Sequence, residues 1–167
     1  MSGYDSRVSF FTFPNPVNEK AARTVATVVA VTSAVTVLTG WWWLLVPLAF
    51  GFIGRVLAGP RLSPLGWLAM RVVAPRLGEP VFSPGPPKRF AQGVGATVSS
   101  LAAILALGLG WTTAAAVLMG VLTVFATLEA ALGWCAGCWA FGHLMRLGVI
   151  PEETCAACND FRLRASA

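Results

Sequence analysis

The sequence predicts an all-α integral membrane protein, a four-helix bundle made of two helical hairpins repeated in parallel. Only 11% of the residues are charged and 56% are hydrophobic, whereas a typical soluble domain is about one-quarter charged. A soluble fold of 167 residues could not hide so much apolar surface, because small domains bury only about two-thirds of what their unfolded chains expose. Long apolar segments and a similarity between the two halves of the chain complete the prediction.

The apolar segments define a predicted membrane domain over residues 19–133, preceded by a cytoplasmic N-terminal segment, residues 1–18. Asn18 is a typical helix N-cap, which predicts that the first helix begins at Glu19. Each predicted span is close to the roughly 20 residues that a helix needs to cross a bilayer. The four spans cover residues 21–38, 41–57, 90–107 and 111–132.

The connector between the second and third spans, residues 59–88, is rich in proline and glycine. Within it, Leu65–Val73 is short and amphipathic, which predicts a helix on the membrane surface with Arg71 toward lipid phosphates. A packed loop that holds the two halves together explains the same composition. The sequence leaves both interpretations open.

The two halves of the chain resemble each other. Residues 21–26 are followed by a span and by Gly40-Trp41, and residues 90–95 are followed by a span and by Gly110-Trp111. Both halves begin on the same side of the membrane, so the repeat is parallel. A helical hairpin used twice is the simplest architecture that explains it.

The distribution of basic residues predicts the orientation in the cell membrane. All twelve lysines and arginines lie on the side that holds both termini and the connector, and the turns at Gly40 and at residues 108–110 carry none. The positive-inside rule then predicts a multi-pass protein with both termini in the cytoplasm. The net charge of +5 therefore needs no nucleic-acid partner to explain it.

The predicted cytoplasmic C-terminal segment, residues 134–167, holds all four cysteines as two Cys-x-x-Cys pairs. The sixteen residues between the pairs, 139–154, match the spacing at which four thiolates close on one tetrahedral zinc ion. The cytoplasm also disfavours structural disulfides. We therefore predict a zinc site whose ligands are Cys135, Cys138, Cys155 and Cys158.

A redox dithiol at Cys135 and Cys138 is the alternative, with Trp134 and Trp139 sheltering a mixed disulfide. A thioredoxin-like dithiol normally accompanies a βαβ pattern, which this sequence lacks. The quinone-linked disulfide-forming enzymes also combine four spans with a Cys-x-x-Cys motif. Their dithiols work on the oxidising face, however, and this chain has its cysteines on the other predicted face and no second pair opposite. Incidental cysteines are disfavoured because the chain has no others.

Two further titratable residues stand out near these cysteines. Glu129 lies within an apolar span, where a carboxylate is costly unless it faces protein, water or a cation. It is either a proton acceptor or ion contact, or a side chain that reaches water at the headgroups. His143, the only histidine, lies far around a helix from Cys138, so we interpret it as a surface or interface residue.

Motifs along nearly the whole chain resemble those of the bacterial integral membrane proteins catalogued as domain-of-unknown-function family 4395. The motifs are Val17-Asn-Glu19 with Arg23, Lys88-Arg-Phe90, Leu132-Gly-Trp-Cys-Ala-Gly-Cys138, and Arg146-Leu-Gly-Val-Ile-Pro-Glu152 before Cys155-Ala-Ala-Cys158. The last of these is similar to the actinobacterial form. Members are often encoded beside thioredoxin-like and sulfurtransferase proteins, which implies a partner of that kind.

These observations lead to three hypotheses of function and leave enzymatic activity undecided. The first is a membrane partner or scaffold for thiol and sulfur metabolism that holds zinc at its cytoplasmic face. The second is a membrane thiol redox or sulfur carrier that uses Cys135 and Cys138 with a thioredoxin-like or sulfurtransferase protein. The third is a small permease or channel, which requires a homo-oligomer because four spans leave little room for a pathway.

Overall fold

The computed structural model describes residues 15–155, apart from the side chains of Arg61, Glu152 and Glu153. Helices dominate this part of the chain, which confirms the all-α class. The elements are β1 (Val17–Asn18), α1 (Glu19–Thr39), α2 (Leu45–Ala58), α3 (Pro64–Leu68), α4 (Ala74–Arg76), β2 (Phe82–Ser83), α5 (Gly85–Ala103), α6 (Thr112–Leu132) and α7 (Ala136–Arg146).

Three helices in the described residues are long and apolar enough to cross a membrane. They are α1, α5 with the π-helical turn Ile104–Gly108 that continues it, and α6. As the sequence predicted, Asn18 caps α1, its side chain accepting a hydrogen bond from the backbone N–H of Lys20 at 3.0 Å. Gly40 and Gly133 end α1 and α6 in the left-handed conformation, which glycine adopts without strain.

The second predicted span is shorter than the other three. A 3₁₀ turn, Trp42–Leu44, leads into α2, and the apolar helical stretch ends at Ala58. Pro47 lies in the first turn of α2, where its missing N–H breaks no helical hydrogen bond. Crossing of the bilayer by four helices therefore stays a prediction.

The connector is mostly helical. A 3₁₀ turn, Gly59–Arg61, precedes α3, whose N-cap Ser63 accepts a hydrogen bond from the backbone N–H of Gly66 at 3.3 Å. The π-helical turn Ala69–Val73 packs against α1 and leads into α4. Trp67 and Leu68 are exposed beside Arg71. The predicted amphipathic segment is thus helical and combines a packed side with an exposed apolar side.

A short antiparallel pairing that the sequence did not predict joins the start of α1 to the end of the connector. Val17 pairs with Ser83 and Asn18 with Phe82. The backbone N–H of Glu19 then donates to the carbonyl of Val81 at 2.7 Å. These bonds bring the first residues of α1 and α5 to the same end of the helices.

The closest packing lies between the two halves of the chain. α1 packs along α6 and α2 packs along α5, while α1 and α2 contact each other little. Small residues at these contacts let helices approach closely. The buried cluster between the helices includes Val25, Val29, Leu45, Phe52, Ala102, Ala115 and Met119.

The turns after α1 and α5 have the same backbone geometry. Gly40 and Gly110 have φ of 70° and 69°, and Trp41 and Trp111 follow at φ/ψ of −80°/68° and −83°/65°. In both turns the residue after the tryptophan donates its N–H to the glycine carbonyl, at 2.9 and 3.0 Å. The matching turns support the predicted internal repeat.

Candidate functional site

Cys135 and Cys138 lie where the chain passes from α6 into α7. Gly133 ends α6, and Cys135 is the N-cap of α7 with an extended backbone. The Sγ of Cys135 accepts a hydrogen bond from the backbone N–H of Cys138 at 3.2 Å. A Cys-x-x-Cys pair at a helix N-terminus has its first sulfur beside backbone donors and the positive end of the helix dipole.

The two sulfurs are joined in a disulfide, and the two residues differ in their exposure to solvent. The Cα atoms of Cys135 and Cys138 are 5.2 Å apart, within the range typical of disulfides. Cys135 is 9% exposed, whereas Cys138 is partly exposed. An attacking thiol therefore reaches the disulfide more easily from the Cys138 side.

The first turn of α7 is held against α5 by two contacts. A Cβ added to Gly137 would lie 2.5 Å from the Cβ of Ala91 and 2.6 Å from its Cα, so only glycine fits there. One turn further on, the rings of Phe90 and Phe141 pack with centroids 5.7 Å apart. These contacts fix the disulfide beside the start of α5.

Two indole rings flank the disulfide in the sequence and lie near each other. The rings of Trp134 and Trp139 have centroids 6.5 Å apart and are tilted by 46°. Trp139 also packs edge to face with His143, with centroids 4.2 Å apart. His143 is thus in an aromatic contact within α7, and its interpretation as a surface or interface residue stays a prediction.

A largely apolar cavity of about 370 Å³ extends from this corner into the helical bundle. Helices α1, α2, α5, α6 and α7 all contribute to its lining, and most of its wall is alanine, valine and phenylalanine side chains. Cys135, Trp134 and Trp139 line it at the α7 end, and Gln92 and Glu129 are its polar side chains. The cavity therefore extends from an apolar interior to Cys135 of the disulfide.

Glu129 takes part in a cluster of three charged side chains at the same end of the helices. The ammonium of Lys88, in the first turns of α5, lies 2.8 Å from the Glu129 carboxylate and 3.3 Å from that of Glu19. The Lys88 side chain is 7% exposed, and the carboxylates are 17–20% exposed. Lys88 thus supplies the cation that a carboxylate in an apolar helix requires.

A second polar cluster surrounds Arg55, which is 6% exposed near the end of α2. Its guanidinium donates to Gln92 Oε1 at 2.7 Å and to Ser63 Oγ at 3.1 Å, and it lies 4.6 Å above the ring of Phe52. The remaining terminal nitrogen has no hydrogen-bond partner within the described chain. Arg55 fixes the orientation of Gln92, and Gln92 in turn lines the cavity.

Comparison with known proteins agrees with the resemblance noted in the sequence. The model of a domain of unknown function, DUF4395, matches residues 17–146. The chain belongs to the DUF4395 family. No curated protein and no solved structure matches it. The matched region of DUF4395 includes Cys135 and Cys138 and ends before the second cysteine pair, and the narrower similarity to an actinobacterial form stays a prediction.

The predicted zinc site of this DUF4395 chain is only partly within the described residues. Cys155 is 3% exposed in the turn Glu152–Cys155, which contacts α5, and it is disulfide-bonded as well. Cys158 lies outside the described residues. Within residues 15–155, no group of three His, Cys, Asp or Glu side chains is arranged to hold a metal ion. Thiolates bind zinc only in the reduced state, so the four-cysteine site stays a prediction.

Sequence reasoning identified Cys135, Cys138 and Glu129 but missed the residues that surround them. Lys88 and Glu19 were noted only as a basic residue and a helix start, although a lone carboxylate in an apolar span requires a cation nearby. Gln92 and Arg55 gave no comparable signal. The hydrogen bond between them joins residues 37 positions apart, and a pairing at that separation cannot be predicted from spacing along the sequence.

Proposed function

We propose that this DUF4395 protein is a membrane thiol redox protein whose Cys135 and Cys138 cycle between disulfide and dithiol. The observation that carries the proposal is the Cys135–Cys138 bond at the N-terminus of α7, with one cysteine buried and the other partly exposed. A helix N-terminus stabilises the thiolate of a Cys-x-x-Cys motif, which makes the pair suitable for exchange.

The difference in burial supports an order of events. The thiolate of a partner protein attacks Sγ of Cys138, a new bond forms between the two sulfurs, and the Cys135–Cys138 bond breaks. Cys135 leaves as a thiolate that the N–H of Cys138 stabilises by the contact seen in the disulfide form. A second thiol of the partner then attacks the mixed disulfide, so two partner thiols become a disulfide and this pair becomes a dithiol.

The setting that we propose is a four-span bundle in the cell membrane with both termini in the cytoplasm. Three helices of sufficient length and a fourth, shorter apolar helix support the four spans, and the distribution of basic residues supports the orientation. The partner would then be a cytoplasmic thioredoxin-like or sulfurtransferase protein. Reporter fusions at the C-terminus and within the turn at Gly40 test the orientation, because they should report opposite sides.

Trapping with single-cysteine variants tests the exchange. Cys135→Ser keeps the accessible Cys138, whose thiolate can attack the disulfide of an oxidised thioredoxin-like protein and release one partner thiol. The variant lacks the Cys135 thiol that would break this adduct in the reverse reaction, so the mixed disulfide should accumulate. Cys138→Ser should trap much less, because Cys135 is buried. Equal trapping by both variants would contradict the assigned order, and the absence of any thiol-dependent adduct in either would refute the redox function.

Zinc bound by the four cysteines is the alternative that we retain. The observation favouring it is that Cys155 is buried in a turn against α5, the helix on which α7 also packs. Reduced protein, purified without chelator, should then hold about one zinc ion per chain, because four thiolates fill one tetrahedral shell. Native mass measurement before and after alkylation distinguishes the alternatives, since zinc would protect all four thiols. A role as a small oligomeric permease stays a prediction.

A further inference from the structure

We propose that the cavity between the helices is the binding site for a lipid-soluble quinone, which accepts the electrons of the reduced Cys135–Cys138 pair. This inference rests on the proposed redox function and names the oxidant that completes its cycle. Unlike the quinone-linked disulfide-forming enzymes, the chain would need no second cysteine pair as a relay, because Cys135 itself lines the cavity and a quinone dissolved in the bilayer is accessible from either face. Three independent features of the cavity support it: a cysteine of the disulfide at one end, a wall that reaches the lipid-facing surface, and a mainly apolar lining in which the Gln92 amide can donate to a carbonyl oxygen.

The first feature is the position of the disulfide relative to the cavity. Cys135 lines the cavity, whereas Cys138 does not and is instead partly exposed. The two residues of the pair thus border different environments. A protein thiol approaches Cys138 from water, and a small apolar acceptor reaches Cys135 from within the bundle.

The second feature is the route by which a ligand enters. Val94 on α5 and both Val121 and Phe125 on α6 line the cavity and are 43–49% exposed. These side chains lie on helices long enough to cross a membrane, so the surface that they expose faces lipid in the proposed setting. A ligand dissolved in the bilayer can enter between α5 and α6 without passing through water.

The third feature is the chemistry of the wall. A volume of about 370 Å³ falls within the range of small-molecule sites, about 300–1,000 Å³. The wall is mainly apolar, which suits a substituted ring with a hydrocarbon tail, and Trp134 and Trp139 offer aromatic faces beside Cys135. The side-chain oxygen of Gln92 accepts a hydrogen bond from Arg55. The amide N–H groups of Gln92 are therefore the donors for a quinone carbonyl.

The electrons and protons of the step balance. The two thiols lose two electrons and two protons and form the Cys135–Cys138 bond. The quinone gains the two electrons and two protons, so both of its carbonyl groups become hydroxyls. Glu129 is the one acidic side chain among the described residues that line the cavity, and the ammonium of Lys88 lies 2.8 Å from its carboxylate.

The test uses the full chain, reduced and placed in lipid nanodiscs free of quinone, with a short-chain benzoquinone as the probe. We expect one quinol to form for each disulfide, measured by absorbance and by counting alkylated thiols. Binding is scored separately in the Cys135→Ser/Cys138→Ser variant, where quinone should quench tryptophan fluorescence from Trp134 and Trp139. Because that readout needs no thiol, it is independent of thiol exchange.

Two matched variants on α6 locate the site. Val121→Phe places a ring at the mouth of the cavity and should slow quinone-dependent oxidation by about tenfold or more, as expected when a reacting ligand is misplaced. Val117 is equally a valine on α6 and is exposed, but it is not part of the lining. Val117→Phe should leave the rate unchanged. Both positions are exposed, so neither change should prevent folding.

Several outcomes would overturn the inference. Equal rates in the two phenylalanine variants would mean that oxidation occurs outside the cavity. Absence of tryptophan quenching in the double-serine variant would mean that the cavity holds only lipid acyl chains. Quenching in that variant without quinol formation by the reduced, unmodified chain would rule out the electron transfer. In each of these cases, trapping of a partner by Cys135→Ser would still support the proposed thiol exchange.

Discussion

Gly137 on α7 lies against Ala91 on α5 so closely that no other residue fits without moving one of the helices. We expect Gly137→Ala to push the start of α7 away from α5, at a cost of about 1–3 kcal/mol of stability, as for other overpacked contacts. The displacement should also expose Cys135. Thermal unfolding in detergent measures the first effect, and the rate of disulfide reduction by dithiothreitol, which should rise, measures the second.

Gly142 provides the control for this prediction on the same helix. A Cβ at Gly142 would meet no atom of the described residues within 4 Å, and alanine favours a helix over glycine by about 0.8–1 kcal/mol. Gly142→Ala should therefore be neutral or stabilising and leave the reduction rate unchanged. If both substitutions behaved alike, the close contact between α7 and α5 would not be what positions the disulfide.

The ion pair between Lys88 and Glu129 should contribute strongly to stability. Lys88→Met removes the ammonium that the largely buried carboxylates of Glu129 and Glu19 both contact, and removing one partner of a buried ion pair costs about 3–5 kcal/mol. Since these carboxylates are 17–20% exposed, we expect a value at the lower end of that range. Chemical or thermal unfolding of the purified variant measures it.

A double-mutant cycle isolates this interaction. Combined with Glu129→Gln, Lys88→Met should cost less than the sum of the two single changes, with a coupling of about 1–2 kcal/mol. Arg89→Met is the control at the neighbouring position. Arg89 is exposed, and its one hydrogen bond to the described part of the chain goes to the carbonyl of Val56 at 3.1 Å, so its loss should cost less than about 1 kcal/mol. Additive effects would mean that Lys88 and Glu129 do not interact.

The sequence predicted the helices well because local signals mark their ends. Asn18, Gly40 and Gly133 cap helices with their own side chain or backbone conformation, and each is recognisable from residue type alone. The long apolar runs also set the helix lengths to within a few residues. The exception was the second span, which was predicted to begin at Trp41. The 3₁₀ turn Trp42–Leu44 lies at its start, and α2 itself begins at Leu45.

The candidate site was less predictable because it depends on contacts between distant residues. The sequence located Cys135 and Cys138 and favoured metal binding on spacing, compartment and the lack of a βαβ pattern, and that zinc site stays a prediction. It did not indicate that α1 packs on α6 and α2 on α5, which is the arrangement that encloses the cavity. The pairing of Lys88 with Glu129 likewise follows from helix packing.

Gly95 and Phe52 determine how closely α5 approaches α2 beside the cavity. A Cβ at Gly95 would overlap three carbon atoms of the Phe52 ring, so we expect Gly95→Ala to cost about 1–3 kcal/mol. It should also disturb Arg55, which lies above the same ring. Unfolding of the variant measures the cost, and the smaller side chain in Gly95→Ala/Phe52→Leu should recover part of it.

For Gly93, on the same helix, an added Cβ would have no atom within 4 Å among residues 15–155. Gly93→Ala should therefore leave stability unchanged or raise it slightly through helix propensity. A loss as large as that of Gly95→Ala would show that backbone flexibility of α5, rather than contact with Phe52, is what the glycines provide.

Arg23 should position the end of α6, from which the chain continues to Cys135. Its guanidinium donates hydrogen bonds to the backbone carbonyls of Ala130 and Ala131, at 3.0 and 2.6 Å. These carbonyls lie in the last turn of α6, where the helix itself supplies no N–H partner for them. Arg23→Met removes both bonds and a cation at the negative end of the helix dipole, at an expected cost of about 1–2 kcal/mol. Arg23→Lys should recover only part of this, because an ammonium lacks the planar fork that reaches two carbonyls. Unfolding measurements compare the two variants, and equal stability of Arg23→Lys and the unmodified protein would mean that charge alone, without the paired hydrogen bonds, holds the end of α6.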